Sequence, residues 1–199
     1  MGTDWSRYYA AASMEPRKTL LYALARFDEN GLRDPFAVDL GCGSGRDTIE
    51  LLRRGWKVLA IDGEAEAIER LLASEELPSA AAERLSTQVS RFEDAAWPDV
   101  DLVNSSFALP FCPPEAFPRL WQRIKSSVCG WAVQRPTLRR SGRLVGRAGA
   151  DVHTRAQVEA LLASFEVEWL EEVEEDGYTV VGEPKRWHLF HVVARRPAT

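Results

Sequence analysis

The sequence predicts an α/β fold: an open, mostly parallel central sheet with helices on both faces and a C-terminal antiparallel hairpin. Three observations carry this. Short apolar runs alternate with amphipathic stretches of helical spacing from residue 17 to residue 125. A loop with glycine at positions 41, 43 and 45 joins the first apolar run to the next amphipathic stretch. Near the end, residues 165–173 and 187–194 alternate as strands around Asp176-Gly177, a turn signal. The chain has 199 residues, enough to bury a substantial core. With no repeat and no hinge-like linker, one domain is expected over 1–199.

Each element has a local reason. Residues 17–27 set Leu20, Leu21, Ala23, Leu24 and Phe27 on one helical face. Residues 36–40 are the first strand. A helix over 46–54 is ended by Gly55. Residues 58–61 are the second strand, and a helix over 65–73 turns Ile68, Leu71 and Leu72 inward. A weak third strand is expected over 88–92 and a fourth over 101–106. A helix over 114–125 carries Phe117, Leu120, Trp121 and Ile124, and one over 154–162 has Thr154 as its N-cap.

The chemistry concentrates in Val38-Asp39-Leu40-Gly41-Cys42-Gly43-Ser44-Gly45-Arg46-Asp47. Without a Cβ, Gly41 and Gly43 can take positive φ and let the backbone approach a ligand. The loop opens onto a helix N-terminus, whose free N–H groups point outward. Asp62 ends the next apolar run, where a carboxylate suits ribose hydroxyls. A dinucleotide G-x-G-x-x-G pattern fails in both frames, because Arg46 and Thr48 stand where its third glycine belongs. The pattern present is acidic-x-Gly-x-Gly-x-Gly. Cys42 reads as a small side chain filling a tight turn.

In these residues the chain resembles the class I S-adenosylmethionine-dependent methyltransferases, whose Rossmann-like domain carries a first motif like DLGCGSG and a second ending in an acid like Asp62. The resemblance implies S-adenosylmethionine as cofactor. It implies that Asp39 and the backbone of Gly41, Cys42 and Gly43 hold the methionine portion, and that Asp62, followed by Gly63, takes the ribose hydroxyls. Phe92 and Glu93 fall where the family contacts adenine, although Arg91 stands where the family often has an acid. Asn104, Ser105 and Ser106 end the fourth strand, at the mouth of the site; they either touch the sulfonium end or the acceptor, or cap the loop. The stretch Trp5-Ser6-Arg7-Tyr8-Tyr9 resembles the lid of small-molecule methyltransferases of the tellurite-resistance type, with Arg17 facing the cofactor's carboxylate. The alternative is that Trp5 and Tyr9 pack on the sheet edge and Arg17 is solvated.

The implied activity is methyl transfer to a small-molecule acceptor by in-line displacement, which needs alignment more than an acid or base. No catalytic residue is named. Asn104-Ser105-Ser106-Phe107 is not the Asn-Pro-Pro-aromatic tetrad of amino-directed nucleic-acid methyltransferases, which favours a small acceptor. The alternatives are a non-catalytic cofactor-binding protein or pseudoenzyme, and an NAD-dependent oxidoreductase.

Composition limits the partners. The net charge of −5 argues against nucleic acid. No apolar run approaches the roughly 20 residues that span a bilayer, and Met1-Gly2-Thr3-Asp4-Trp5 shows neither a basic nor an apolar run, so secretion is not expected. Cys42, Cys112 and Cys129 are too few and too widely spaced for a disulfide framework or a zinc site, so a reducing cytoplasm is expected. His188 and His191 lie three apart on a strand and so face opposite ways, and no metal site is expected. The acidic run Glu171, Glu172, Glu174, Glu175, Asp176 reads as a solvated hairpin end.

The segment 128–152 departs from the rest. It holds Arg135, Arg139, Arg140, Arg143 and Arg147 with the single acid Asp151, in an otherwise acidic chain. The family has an apolar fifth strand there, whereas here alternation is poor and Pro136 interrupts. A basic patch for an anionic substrate is one reading. The favoured one is a compensated frameshift in the gene or its sequencing record: GC-rich codons read one base over can spell GRFSGQLFGDRDDW, and the family pattern resumes at His153-Thr154-Arg155. Resequencing the locus is expected to show paired frame changes flanking this segment. One intact frame, with relatives that share the arginines, would refute it.

Overall fold

The computed structural model describes residues 5–30, 33–79, 81–135, 137–138 and 153–197. Eight strands among them form one sheet. β1 (Phe36–Leu40), β2 (Lys57–Asp62), β3 (Leu85–Val89), β4 (Val100–Ser106) and β5 (Val128–Arg135) run parallel in the order β3-β2-β1-β4-β5. Two short strand residues, β6 (Thr137–Leu138), and the long pair β7 (Glu166–Tyr178) and β8 (Pro184–Arg195) complete it. β8 is antiparallel to β5, β6 and β7.

Helices cover both faces, and the buried residues sort accordingly. On one side α2 (Lys18–Asn30) and α3 (Arg46–Arg53) pack Leu20, Leu24, Phe27, Leu51 and Leu52 against Ala37, Val58, Leu102 and Val193. Beside them α3 and α4 (Ala65–Leu72) enclose Ile49, Ala60, Ile68 and Leu71. On the other side α6 (Phe117–Ser127) and α7 (Arg155–Leu161) pack Leu120, Trp121, Ile124 and Val158 against Val38, Val103, Phe190 and Val192. Neighbouring residues of β1 thus serve opposite cores, as expected for a parallel strand covered on both faces. Two short helices, α1 (Trp5–Ala11) and α5 (Ala81–Arg84), complete the set. α7 begins as expected: Thr154 Oγ1 accepts from the Gln157 N–H, and Gln157 Oε1 accepts from the Thr154 N–H. No helix among the described residues is long and apolar enough to cross a membrane.

Several local expectations are corrected. Ile68 and Leu71 are buried under α4, but Leu72 is 55% exposed and faces outward. The third strand is 85–89, not 88–92, because pairing with β2 matches Val58 to Leu85 and Asp62 to Val89; Phe92 and Glu93 therefore lie in the turn beyond it. Asp176-Gly177 is not the hairpin turn. Both stay in β7, paired with Arg186 and Lys185, and the chain reverses over 179–183, where the Thr179 N–H donates to the Glu183 carbonyl and Gly182 takes φ 82°. The fifth strand forms despite its sequence. β4 and β8 flank it and supply partners on both edges, and β6 continues its register along β8. Pro136 and residues 139–152, which include most of the arginine-rich stretch, lie outside the described residues.

Phe190, fully buried between β8 and the α6–α7 layer, is the largest sealed side chain among the described residues. Phe190→Ala is expected to lower the unfolding free energy by about 3–5 kcal/mol in urea titration; a loss below about 1 kcal/mol would contradict this core.

Candidate functional site

The glycine loop sits at the carboxyl ends of β1, β2 and β4, where open α/β sheets bind ligands. Gly41, Gly43 and Gly45 all take positive φ: 76°, 56° and 94°. What closes in on two of them is the protein itself. A Cβ on Gly41 would stand 2.1 Å from Ala108 Cβ, and one on Gly45 2.2 Å from Leu71 Cδ1. At Gly43 the neighbour is the Tyr9 ring, 3.6 Å from the Cβ position. The loop is anchored to β2, because the N–H groups of Gly41 and Cys42 both donate to the Ile61 carbonyl (2.8 and 3.0 Å).

Asp62 stands at the lip. Its Oδ2 accepts from the Gly43 N–H at 2.8 Å and its Oδ1 from the Glu64 N–H at 3.0 Å. Burial raises its carboxyl above the usual range, opposed by these backbone donors. Each oxygen keeps acceptor capacity beyond its one bond. Gly63 beside it is exposed. Cys42 is buried, and burial together with Asp39 and Asp62 pushes its thiol well up, so it fills the turn as a neutral group.

Beneath the loop lies a buried polar cluster. Asp39, 1% exposed, points inward: its Oδ2 accepts from Thr48 Oγ1 (2.6 Å) and its Oδ1 from Asn104 Nδ2 (2.8 Å). The same Nδ2 donates to Asp47 Oδ2 at 3.2 Å, and Ser106 Oγ donates to that oxygen at 2.7 Å. The Arg17 N–H donates to Asp47 Oδ1 at 3.0 Å. Burial, then the charge of Asp47, raises the Asp39 carboxyl to about 7, against the bonds from Thr48 and Asn104. The Asn104 amide nitrogen faces both acids, since the reverse orientation would crowd oxygens together. Its Oδ1 is buried without a hydrogen-bond partner among the described residues. Ser105 turns the other way and donates to the Leu40 carbonyl at 3.0 Å, tying β4 to β1.

The N-terminal aromatic stretch covers the loop as α1. Tyr9 is buried, and its phenol is raised by burial and by the nearby Asp62 and Glu64 charges. Trp5 stacks on Tyr9 and meets Phe111 edge-on, with ring centres 4.9 Å apart. Arg17 is half-buried and makes no ion pair among the described residues. Burial lowers its pKa, and its Nε is buried without a hydrogen-bond partner among the described residues. Phe92 lies against the loop, its Cζ 3.8 Å from the Gly41 Cβ position, and half-buried Glu93 follows it.

The structure thus gathers Asp39 and Asn104 below the loop, sets Gly41, Cys42, Gly43, Asp62 and Gly63 around it, and leaves Phe92 and Glu93 at its β3 side. Sequence reasoning missed Asp47 and Thr48, which read only as the start of a helix. An acid in the first turn behind a glycine loop was the available signal. His188 and His191 do face opposite ways: His188 Nε2 pairs with Glu172 at 2.7 Å, and His191 lies along Trp169.

Residues 37–129, a little under half the chain, match the family model described as a methyltransferase domain. None of the curated proteins matches in sequence. Among solved structures, TehB from Haemophilus influenzae superposes with a TM-score of 0.73 at 16% identity over 91% of this chain, which spans 62% of the length of that one. Magnesium protoporphyrin IX methyltransferase from Synechocystis, solved with bound SAM, gives 0.71 at 15% identity over 98% of this chain and 92% of its own. A Burkholderia thailandensis 1,6-didemethyltoxoflavin-N1-methyltransferase, solved with 1,6-didemethyltoxoflavin and S-adenosylhomocysteine, gives 0.61 at 20% identity over 98% and 82%. These likenesses establish the fold.

The raised Asp39 carboxyl has a pH consequence. Between its unfolded value near 4 and its folded value of about 7, the native state holds the proton more tightly, so stability falls as pH rises through that window. The unfolding free energy is expected to drop by roughly 2 kcal/mol from pH 5 to pH 7, and Asp39→Asn is expected to flatten the slope. A wild-type profile that is flat or rising across this window would contradict the assignment.

Proposed function

We propose that this chain, whose residues 37–129 match the methyltransferase-domain model, is a class I S-adenosylmethionine-dependent methyltransferase that transfers the methyl group of S-adenosylmethionine to a small-molecule acceptor. The observation that carries the reading is Asp62, hydrogen-bonded to the Gly43 N–H at the lip of a three-glycine loop beneath the aromatic helix α1. The ligand-bound methyltransferase structures of the same fold, one of them holding a small molecule, support it.

The residues fit the cofactor's chemistry. Two ribose hydroxyls need an acceptor, and Asp62 has lone pairs to spare. A zwitterionic amino-acid tail needs a donor for its carboxylate and an acceptor for its ammonium. Arg17 Nε and Asn104 Oδ1 are buried polar atoms with no hydrogen-bond partner in the described structure, and they take these two roles. The backbone of Gly41, Cys42, Gly43 and Gly63 shapes the floor, and Phe92 and Glu93 receive the base. Asp39 and Ser105 act as positioning residues: Asp39 holds the Asn104 amide, and Ser105 holds β4 against the end of β1.

When bound, S-adenosylmethionine supplies an already activated methyl group for in-line displacement. The protein's contribution is then alignment and the exclusion of water. α1 covers the loop with Tyr9 and Trp5, and the glycine loop, pinned to Ile61 and Asp62, needs little reorganisation. No residue is assigned as a base. We further propose a single domain working in the cytoplasm, where its three free cysteines stay reduced.

Calorimetric titration tests the reading. S-adenosylmethionine and S-adenosylhomocysteine are expected to bind saturably and NADH not at all. Asp62→Ala is expected to weaken binding by about 10- to 100-fold, the worth of hydrogen bonds to a charged group. A folded chain that binds neither sulfur ligand, or that binds NADH instead, rejects it.

A further inference from the structure

Beyond the loop, four side chains form a ladder at the same end of the sheet. The Arg17 guanidinium carbon lies 4.6 Å from the centre of the Phe107 ring. Phe107 meets the Trp187 indole edge-on, with centres 6.2 Å apart at 67°. Lys185 Nζ lies 3.5 Å from the Trp187 ring centre. Phe107 directly follows Ser106, the last residue of β4, and Trp187 comes from the start of β8.

The backbone is shaped to hold both rings there. Phe107 takes φ 61°, a left-handed conformation that is strained for a bulky side chain and that gathers at functional sites. Across the hairpin, Gly177 leaves room for the indole: a Cβ there would stand 3.2 Å from Trp187 Cδ1 and 3.4 Å from its Nε1. A glycine inside a strand weakens it and commonly marks such a close approach. Neither ring is core. Both are half-buried, whereas Leu189 and Val193, further along the same face of β8, are sealed.

The position matters. β8 runs against the parallel strands, so its first residues lie toward their carboxyl ends, and Phe107 is one residue from Ser106, which bonds Asp47. On the reading proposed above, on which this inference rests, an acceptor approaches the cofactor from this end.

We propose that Phe107 and Trp187 form an acceptor subsite that takes a flat, electron-rich aromatic ring, a phenol being the simplest member of the class. A cation against a ring draws on its π cloud, and a ring polarised in this way packs best on an electron-rich partner. Glu175 sits opposite Trp187 in the β7–β8 ladder, so the corner is not uniformly positive and selects a ring rather than an anion.

The test uses the full chain saturated with S-adenosylhomocysteine, titrated by calorimetry with a series of phenols and with the matching cyclohexanols, which keep the hydroxyl and lose the aromaticity. Phenols are expected to bind about tenfold more tightly than their saturated counterparts. Trp187→Leu is expected to abolish that preference while leaving the affinity for S-adenosylhomocysteine within about twofold. Equal binding of the two series, or binding of neither, overturns the subsite with the cofactor reading intact. Failure of S-adenosylhomocysteine to bind the folded chain overturns both.

Discussion

The Asn104 amide, donating to two buried carboxylates at once, is the contact on which the site depends. Asp39 lies one residue before the end of β1, Asp47 is in the first turn of α3 and Asn104 comes from β4, so one NH2 group ties two strands and a helix together at the point where the chain must turn. Two acids this deeply buried repel each other and resist desolvation. They are tolerated because every approach is hydrogen-bonded: Thr48 on one side of Asp39, Ser106 and the Arg17 N–H on the oxygens of Asp47. Asp47 gains further from its place in the first turn of α3, where the helix dipole favours negative charge.

This platform explains why the loop above it can be so rich in glycine without being slack. Gly41 and Gly45 are glycines because Ala108 and Leu71 occupy the space a side chain would need. The loop is then closed from the other side by β2, through the Ile61 carbonyl and the Asp62 carboxylate. Since the Arg17 backbone is held by Asp47 and its side chain lies on Phe107, the platform also fixes where the segment leading from α1 begins α2. The glycine loop, α1 and the Phe107–Trp187 corner are therefore neighbours of one polar cluster, not separate features.

The C-terminal hairpin illustrates a different economy. Its acidic residues are matched by scattered cations: Glu171 by Lys18, Glu172 by Arg155, Glu174 and Asp176 by Arg186. These are exposed pairs and individually add little stability. What holds the hairpin is β8, whose inner half, Leu189 to Ala194, is buried and feeds the cores on both faces of the sheet. Its outer half, released from that duty, presents Trp187.

Wherever a feature was local, the residues by themselves determined it. β1 spans 36–40 as its apolar run dictates, α3 and α4 end within a residue of expectation, and Thr154 caps α7 through a bond three residues away. The glycine spacing and the acid after the second run were equally legible, because they occupy one strand–turn–helix unit. Only the tertiary structure decided the rest. The Asp176-Gly177 signal lost to a hairpin ladder that continues on both sides of it, and β3 took its register from β2 rather than from its own weak pattern. An arginine-rich segment became a strand at its start because β4 and β8 both offered it hydrogen bonds. Asp39 turned away from the loop that its motif borders because Asn104, 65 residues further along the chain, waits beneath it. The physical reason is the same in each case: periodicity and capping act over a few residues, whereas strand register and the satisfaction of buried charge depend on partners that only the folded chain brings within reach.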